Sequence, residues 1–170
     1  MILIHLFLNM GISSYGQGYD YQDELLRILQ MEKDYQARMN SNALDEAFIK
    51  DLVDSYISFS GRYPDSEYSQ TFLLDAANLC YTSIERPKLS IQILFLLRDR
   101  YPETASSAHA LFLLGYISHN SLRDVERAQS FYRRFVEEHP DHELAPSARF
   151  ELWNLGKSNE ELLRELLEEE

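Results

Sequence analysis

The apolar positions of the chain recur at helical rather than alternating spacing. After Asp20, a residue suited to a helix N-cap, Leu25, Ile28, Leu29, Tyr35 and Met39 line one face, and Asn40-Ser41-Asn42 ends the run. A second run sets Phe48, Ile49, Leu52, Val53, Tyr56, Ile57 and Phe59 on one side, with Gly61 placed to follow its end. From Tyr63 onward the pattern repeats every 38 residues. Leu73, Leu74, Ala77 and Leu79 fall on Leu111, Phe112, Gly115 and Ile117, while Ser90, Leu94 and Leu97 fall on Ala128, Tyr132 and Phe135. A fixed period without gaps predicts an all-α array of helix pairs.

The period is also written in prolines and small residues. Tyr63-Pro64-Asp65-Ser66 falls on Tyr101-Pro102-Glu103-Thr104, and both fall on His139-Pro140-Asp141-His142. Pro64, Pro102 and Pro140 cannot continue the preceding helix, and Ser66 or Thr104 can cap the next. Ala77 and Gly115 are expected where the two helices of a pair come closest, with Ser90 and Ala128 as the small residues facing them. Pro87 suits a first helical turn, and Ser121 with Asp124 resembles a capping box. Leu52, Tyr56 and Phe59 stand two periods before Ala128, Tyr132 and Phe135, so the N-terminal pair reads as a degenerate repeat with only its second helix in register.

The last repeat departs from the others. Trp153 takes the position of Ala77 and Gly115, and Gly156 cuts the helix short. Ser158 to Glu161 then reads as a capping box opening a terminal helix with Leu162, Leu163, Leu166 and Leu167 on one side, a cap with a polar outer face. The layout is a segment 1–16, a degenerate pair 17–62, repeats 63–100 and 101–138, and an atypical terminal repeat 139–170.

The Tyr-Pro-x-Ser/Thr start, Leu114-Gly115, Ala128, Tyr132 and the closing Pro140 resemble the tetratricopeptide repeat, in the lengthened form of the BamD (YfiO) and CpoB-like bacterial envelope family. The likeness covers Tyr63 to about Leu155. It implies helix pairs stacked in a right-handed superhelix and the role of an adaptor in envelope assembly. Two features depart from that family: no cysteine stands near Gly16 to carry a lipid, and no long coiled coil precedes the repeats.

In such repeats the first helix of each pair lines the concave side, which implies a groove. Its residues would be Thr71, Leu74, Asn78 and Tyr81, then His109, Phe112, Tyr116 and His119, then Ser147, Phe150 and Asn154. Spacings of 3, 4 and 3 keep the middle four within about 80° around a helix. This stripe is aromatic and polar, suited to a peptide segment or partner protein held by ring burial and hydrogen bonds. Charged residues such as Arg98, Arg123, Arg127, Arg133, Arg134 and Glu138 belong to the second helices and the outer side. Leu74, Phe112 and Phe150 stand where a carboxylate-clamp repeat needs lysine, so chaperone tails are not the expected ligand.

Composition narrows the reading. With 45% apolar and 12% aromatic residues the 170-residue chain can bury a core, and a net charge of −12 argues against a nucleic-acid binder. From Glu137 onward eleven Asp and Glu face three Lys and Arg, read as a solvated end. Cys80 is the only cysteine, so no internal disulfide can form; its counterparts Ser118 and Gly156 mark a small-residue slot in a core.

Met1 to Met10 is an apolar run too short to span a bilayer, and Ser14 and Gly16 are small residues where a signal peptidase would cut, so residues 1–16 read as a secretory signal. The basic start of such a signal is missing, since no Lys or Arg precedes Arg27. Either the true initiator lies upstream or the segment is an apolar arm, in which case the protein is a cytoplasmic scaffold.

His139-x-x-His142 with Asp141 and Glu143 can be drawn as a metal set, but it occupies the turn held elsewhere by Tyr-Pro and reads as a substituted turn. No phosphate loop, Cys-x-x-Cys pair or nucleophile elbow occurs. The expectation is therefore a binding protein, not an enzyme, without cofactor or metal. It would be periplasmic or secreted, with no membrane span of its own, and end-to-end self-association through the Trp153 region is a further possibility for it.

Overall fold

Helices follow one another with short turns throughout the computed structural model, which describes residues 20–41, 43, 45–155, 157, 161 and 164. They are α1 (Tyr21–Asn40), α2 (Glu46–Arg62), α3 (Glu67–Thr82), α4 (Pro87–Arg100), α5 (Ala105–Asn120), α6 (Val125–Glu138) and α7 (Ala145–Asn154). The segment 1–16 and, apart from the helical Glu161 and Arg164, the terminal helix expected after Ser158 lie outside the described residues. Among the described residues no helix is long and apolar enough to cross a membrane.

The period of 38 holds to the residue. Helix α3 occupies 67–82 and α5 105–120; α4 occupies 87–100 and α6 125–138. The turns inside the pairs repeat bond for bond. Ser83 and Ile84 N–H donate to the Leu79 carbonyl and Arg86 N–H to that of Cys80, as Ser121 and Leu122 donate to Ile117 and Asp124 to Ser118. Both turns pass through a left-handed residue, Glu85 (φ 49°) and Arg123 (φ 55°). Between pairs, Tyr63, Tyr101 and His139 leave their helices at nearly one conformation, with φ of −125°, −132° and −134°. Proline follows each of them and disfavours the helical region for the residue before it. His139 thus does the work of the two tyrosines, and its ring packs on Phe135 at 5.5 Å.

Caps follow the expectation in part. Ser66 Oγ accepts from Tyr68 N–H and Thr104 Oγ1 from Ser107 N–H. Asp124 alone caps α6, accepting from Arg127 N–H at 3.0 Å; Ser121 instead closes the end of α5, so the expected box does not form. Asp20 stands at the N-cap of α1 without a side-chain bond, whereas Asp45 caps α2 at 2.8 Å. Helix α2 runs through Gly61 to Arg62, because the stop comes from Tyr63-Pro64 rather than from glycine; a Cβ at Gly61 would meet nothing within 4 Å.

Each helix packs against the next, and α3 also touches α5. One apolar cluster runs from Leu25 and Ile28 in α1 to Leu114 and Ile117 in α5. A second joins Ala108 and Leu111 to Tyr132, Phe135, Ala145 and Ala148. Leu73, Leu94, Leu97, Leu111 and Leu114 are wholly buried, each contributing roughly 1.5–3 kcal/mol. Cys80 is a free thiol in the core, its pKa pushed up by burial to about 11, and its counterpart Ser118 is buried with its hydroxyl on the Leu114 carbonyl. Met39, expected on the apolar stripe of α1, is exposed instead, while Leu29 and Tyr35 are half-buried.

Three expectations about packing are corrected. The residue nearest Gly115 is the large Tyr132 rather than the small Ala128. Arg98 is no free outer charge: it donates to the Ser107 carbonyl at 2.8 Å and to Glu138 at 3.3 Å, tying α4 to α5 and α6. Trp153 is 40% exposed with the Lys157 ammonium 3.7 Å above its ring, since an indole does not fit a slot made for alanine or glycine. Two further ties were not anticipated. Glu24, 5% exposed on the apolar side of α1, is paired with Arg62, and Tyr101 Oη donates to the Pro64 carbonyl, joining successive turns.

Candidate functional site

The stripe residues sit on α3, α5 and α7; Tyr-Pro turns and their caps hold α3 and α5 at the 38-residue offset, while α7 follows the His139-Pro140 turn without a side-chain cap. None of the eleven is buried. Thr71, Tyr116, Ser147 and Phe150 are exposed, and Leu74, Asn78, Tyr81, His109, Phe112, His119 and Asn154 are half-buried. On the same helix α5, Leu111 and Leu114 are wholly buried. The 3.6-residue turn therefore separates a core face from an accessible one as the spacing implied.

The residues are not equivalent. Phe112 packs its ring against Tyr132 at 5.4 Å and Phe135 at 5.8 Å, and Leu74 lies against the larger core cluster, so both form the floor where stripe meets core. Tyr81 and Tyr116 meet edge to face at 5.9 Å, which brings α3 and α5 side by side at this point. The neighbouring Tyr81, and burial after it, make the Tyr116 phenol harder to ionise than usual. Burial, and next the proximity of His142, hold His109 below the ordinary histidine value. On α7, Phe150 is 59% exposed and stacks at 6.3 Å with Trp153.

Between α5 and α7 the stripe turns polar. His119 Nδ1 stands 3.9 Å from Glu151 Oε2, and Asn154 lies on α7 one turn beyond Glu151. Tyr132 reaches the same place from α6. Its ring covers Gly115 and its hydroxyl feels the Glu151 carboxylate and the phenols of Tyr116 and Tyr81; burial first, then Glu151, raises its pKa. Three atoms here are buried without a hydrogen-bond partner: His119 Nδ1, Tyr132 Oη and Asn154 Oδ1. Buried polar groups are seldom left so, and each costs about 1–3 kcal/mol.

Glu151 and the Tyr132 hydroxyl belong to this place and were not anticipated. Glu151 is one residue past Phe150, outside the counted stripe, and Tyr132 was read only as an apolar counterpart of Leu94. A tyrosine where the preceding repeat holds Leu94, and the first repeat Tyr56, was the available signal. Among the described residues no three His, Cys, Asp or Glu side chains are placed to hold a metal ion; His142 Nδ1 accepts from Leu144 N–H at 3.1 Å and its ring rests on Phe135. Compared with known proteins, the chain matches no family model and no curated protein.

Proposed function

We propose that this protein is an exported tetratricopeptide-type adaptor of the cell envelope. Its helix pairs wind in a right-handed superhelix and hold a peptide segment or partner domain along the concave stripe. The observation that supports this most is the stripe itself: none of the eleven positions chosen by repeat register is buried, while Leu73, Ala77, Leu111, Leu114 and Ala148 on the same helices are core. Exposed rings at Tyr116 and Phe150 beside half-buried Asn and His offer a partner both apolar area and hydrogen bonds.

Affinity capture from envelope extracts, with the parent chain beside a Tyr116→Ala/His119→Ala variant, tests the groove. A partner held by the parent and lost by the variant is the expected result; equal capture by both overturns the groove reading. Terminal sequencing of the mature protein tests export. A start at Gln17 is expected, and recovery of intact Met1 replaces the envelope adaptor with a cytoplasmic scaffold.

A second reading, self-association, rests on Phe150 and Trp153, two adjacent exposed rings at the C-terminal end of the described helices. Sedimentation that shifts with concentration in the parent and not in Phe150→Ala would favour it.

A further inference from the structure

Where α5, α6 and α7 converge, the chemistry of the stripe is one-sided. Glu151 brings a carboxylate, Asn154 a side-chain carbonyl and His119 a ring nitrogen, the last two buried without partners. The fully buried Tyr132 aims its unpartnered hydroxyl at this group through the notch left by Gly115. Tyr81 and Tyr116 stand beside this group with their rings at right angles, near enough to act on the Tyr132 hydroxyl. No Lys or Arg occurs among the stripe residues, and the chain carries a net charge of −12.

From this juxtaposition we infer that the polar cluster around Glu151 takes a cationic side chain, a guanidinium or ammonium, from the bound partner segment. The inference rests on the groove reading and names the chemistry the groove selects. A guanidinium carries five N–H donors and no acceptor, and an ammonium three donors, which matches a set in which every group can accept and Glu151 carries the one negative charge. The neighbouring rings of Tyr81 and Tyr116 add attraction for a cation within about 6 Å of a ring centre. The acidic surface draws a basic segment toward the site at long range. An acidic or purely apolar ligand would leave Glu151 facing a like charge or stripped of water, and both are unfavourable.

Nuclear magnetic resonance titration of the full chain checks this, with the blocked amino acids N-acetyl-arginine methylamide, N-acetyl-lysine methylamide, N-acetyl-norleucine methylamide and N-acetyl-glutamate methylamide. Saturable shifts at the Tyr116, His119 and Glu151 amides are expected for arginine or lysine, with the stronger of the two showing which cation fits. Glu151→Gln, which keeps the shape of the side chain, is expected to weaken that binding by about tenfold or more. Equal shifts with norleucine on the parent protein, a comparison that needs no variant, overturn the inference, as does undiminished arginine and lysine binding by Glu151→Gln. The two levels of the proposal fail separately. A captured partner that needs Tyr116 and His119 but binds as well after its lysines and arginines are changed to glutamine removes the cation site and leaves the groove.

Discussion

Gly115 lies beneath the ring of Tyr132: a Cβ added to the glycine would stand 2.9 Å from both Cδ1 and Cε1 of the tyrosine. One period earlier the same two positions hold Ala77 and Leu94, also wholly buried. A larger residue on the first helix thus goes with a smaller one on the second, and the filled volume is kept. Gly115→Leu is expected to cost about 1–3 kcal/mol or more by overpacking. Gly115→Ala combined with Tyr132→Leu installs the pair of the preceding repeat. In that background the alanine should cost clearly less than it does opposite tyrosine, a coupling that a double-mutant cycle in denaturant measures. Additive costs would mean that the two side chains do not share one space.

Core and groove residues on α5 should fail differently. Leu114→Ala removes wholly buried methyl groups and is expected to destabilise by about 2–5 kcal/mol. The Tyr116→Ala/His119→Ala pair, one side chain 36% exposed and the other half-buried, should change stability by at most about 1 kcal/mol. Chemical denaturation separates the two cases. If the pair unfolds as readily as Leu114→Ala, the stripe is core.

The left-handed turn residues Glu85 and Arg123 carry a strain that glycine would not. A left-handed conformation costs an L-residue about 1–2 kcal/mol, and glycine gives back about 0.5–1 kcal/mol of this through its freer unfolded chain. Glu85→Gly and Arg123→Gly are each expected to raise stability by about 0.5–1 kcal/mol, or roughly 1–4 °C in Tm. A calorimetric scan showing either variant melting below the parent would contradict this.

Asp75 sets a pH dependence. Burial, and after it the Glu32 carboxylate on α1, raise its pKa from 3.8 to about 6; Tyr56 of α2 donates its hydroxyl to Glu32 at 2.9 Å. The folded state therefore holds this proton more tightly than the unfolded chain. Its contribution to stability is full below the unfolded value and is lost as pH rises through the folded one. Relative to Asp75→Asn, the parent should lose stability between 3.8 and about 6 and then level off. Urea midpoints of both proteins across that range provide the measurement, and a constant difference between them would show that Asp75 titrates normally.

The all-α class, the period of 38, the turns at Tyr63, Tyr101 and His139, and the separation of Tyr116 from Leu114 were all legible in the amino-acid sequence. Each of these depends on one or two helical turns: proline bars the helical conformation before it, and the 3.6-residue repeat sorts side chains by face whatever lies opposite. Which stripe residues form the floor was decided by tertiary packing, since Phe112 meets Tyr132 and Phe135 only because α6 lies against α5. The polar cluster around Glu151 belongs to the same category. Glu151 comes within 3.9 Å of His119 across two turns and an intervening helix, and the Tyr132 hydroxyl arrives there because the missing side chain of Gly115 lets its ring pass. Such meetings follow from the distance and rotation between helices, which a periodic pattern does not encode. The buried Glu24 with Arg62 shows the same: charge on an apolar face signals nothing until the fold supplies its partner.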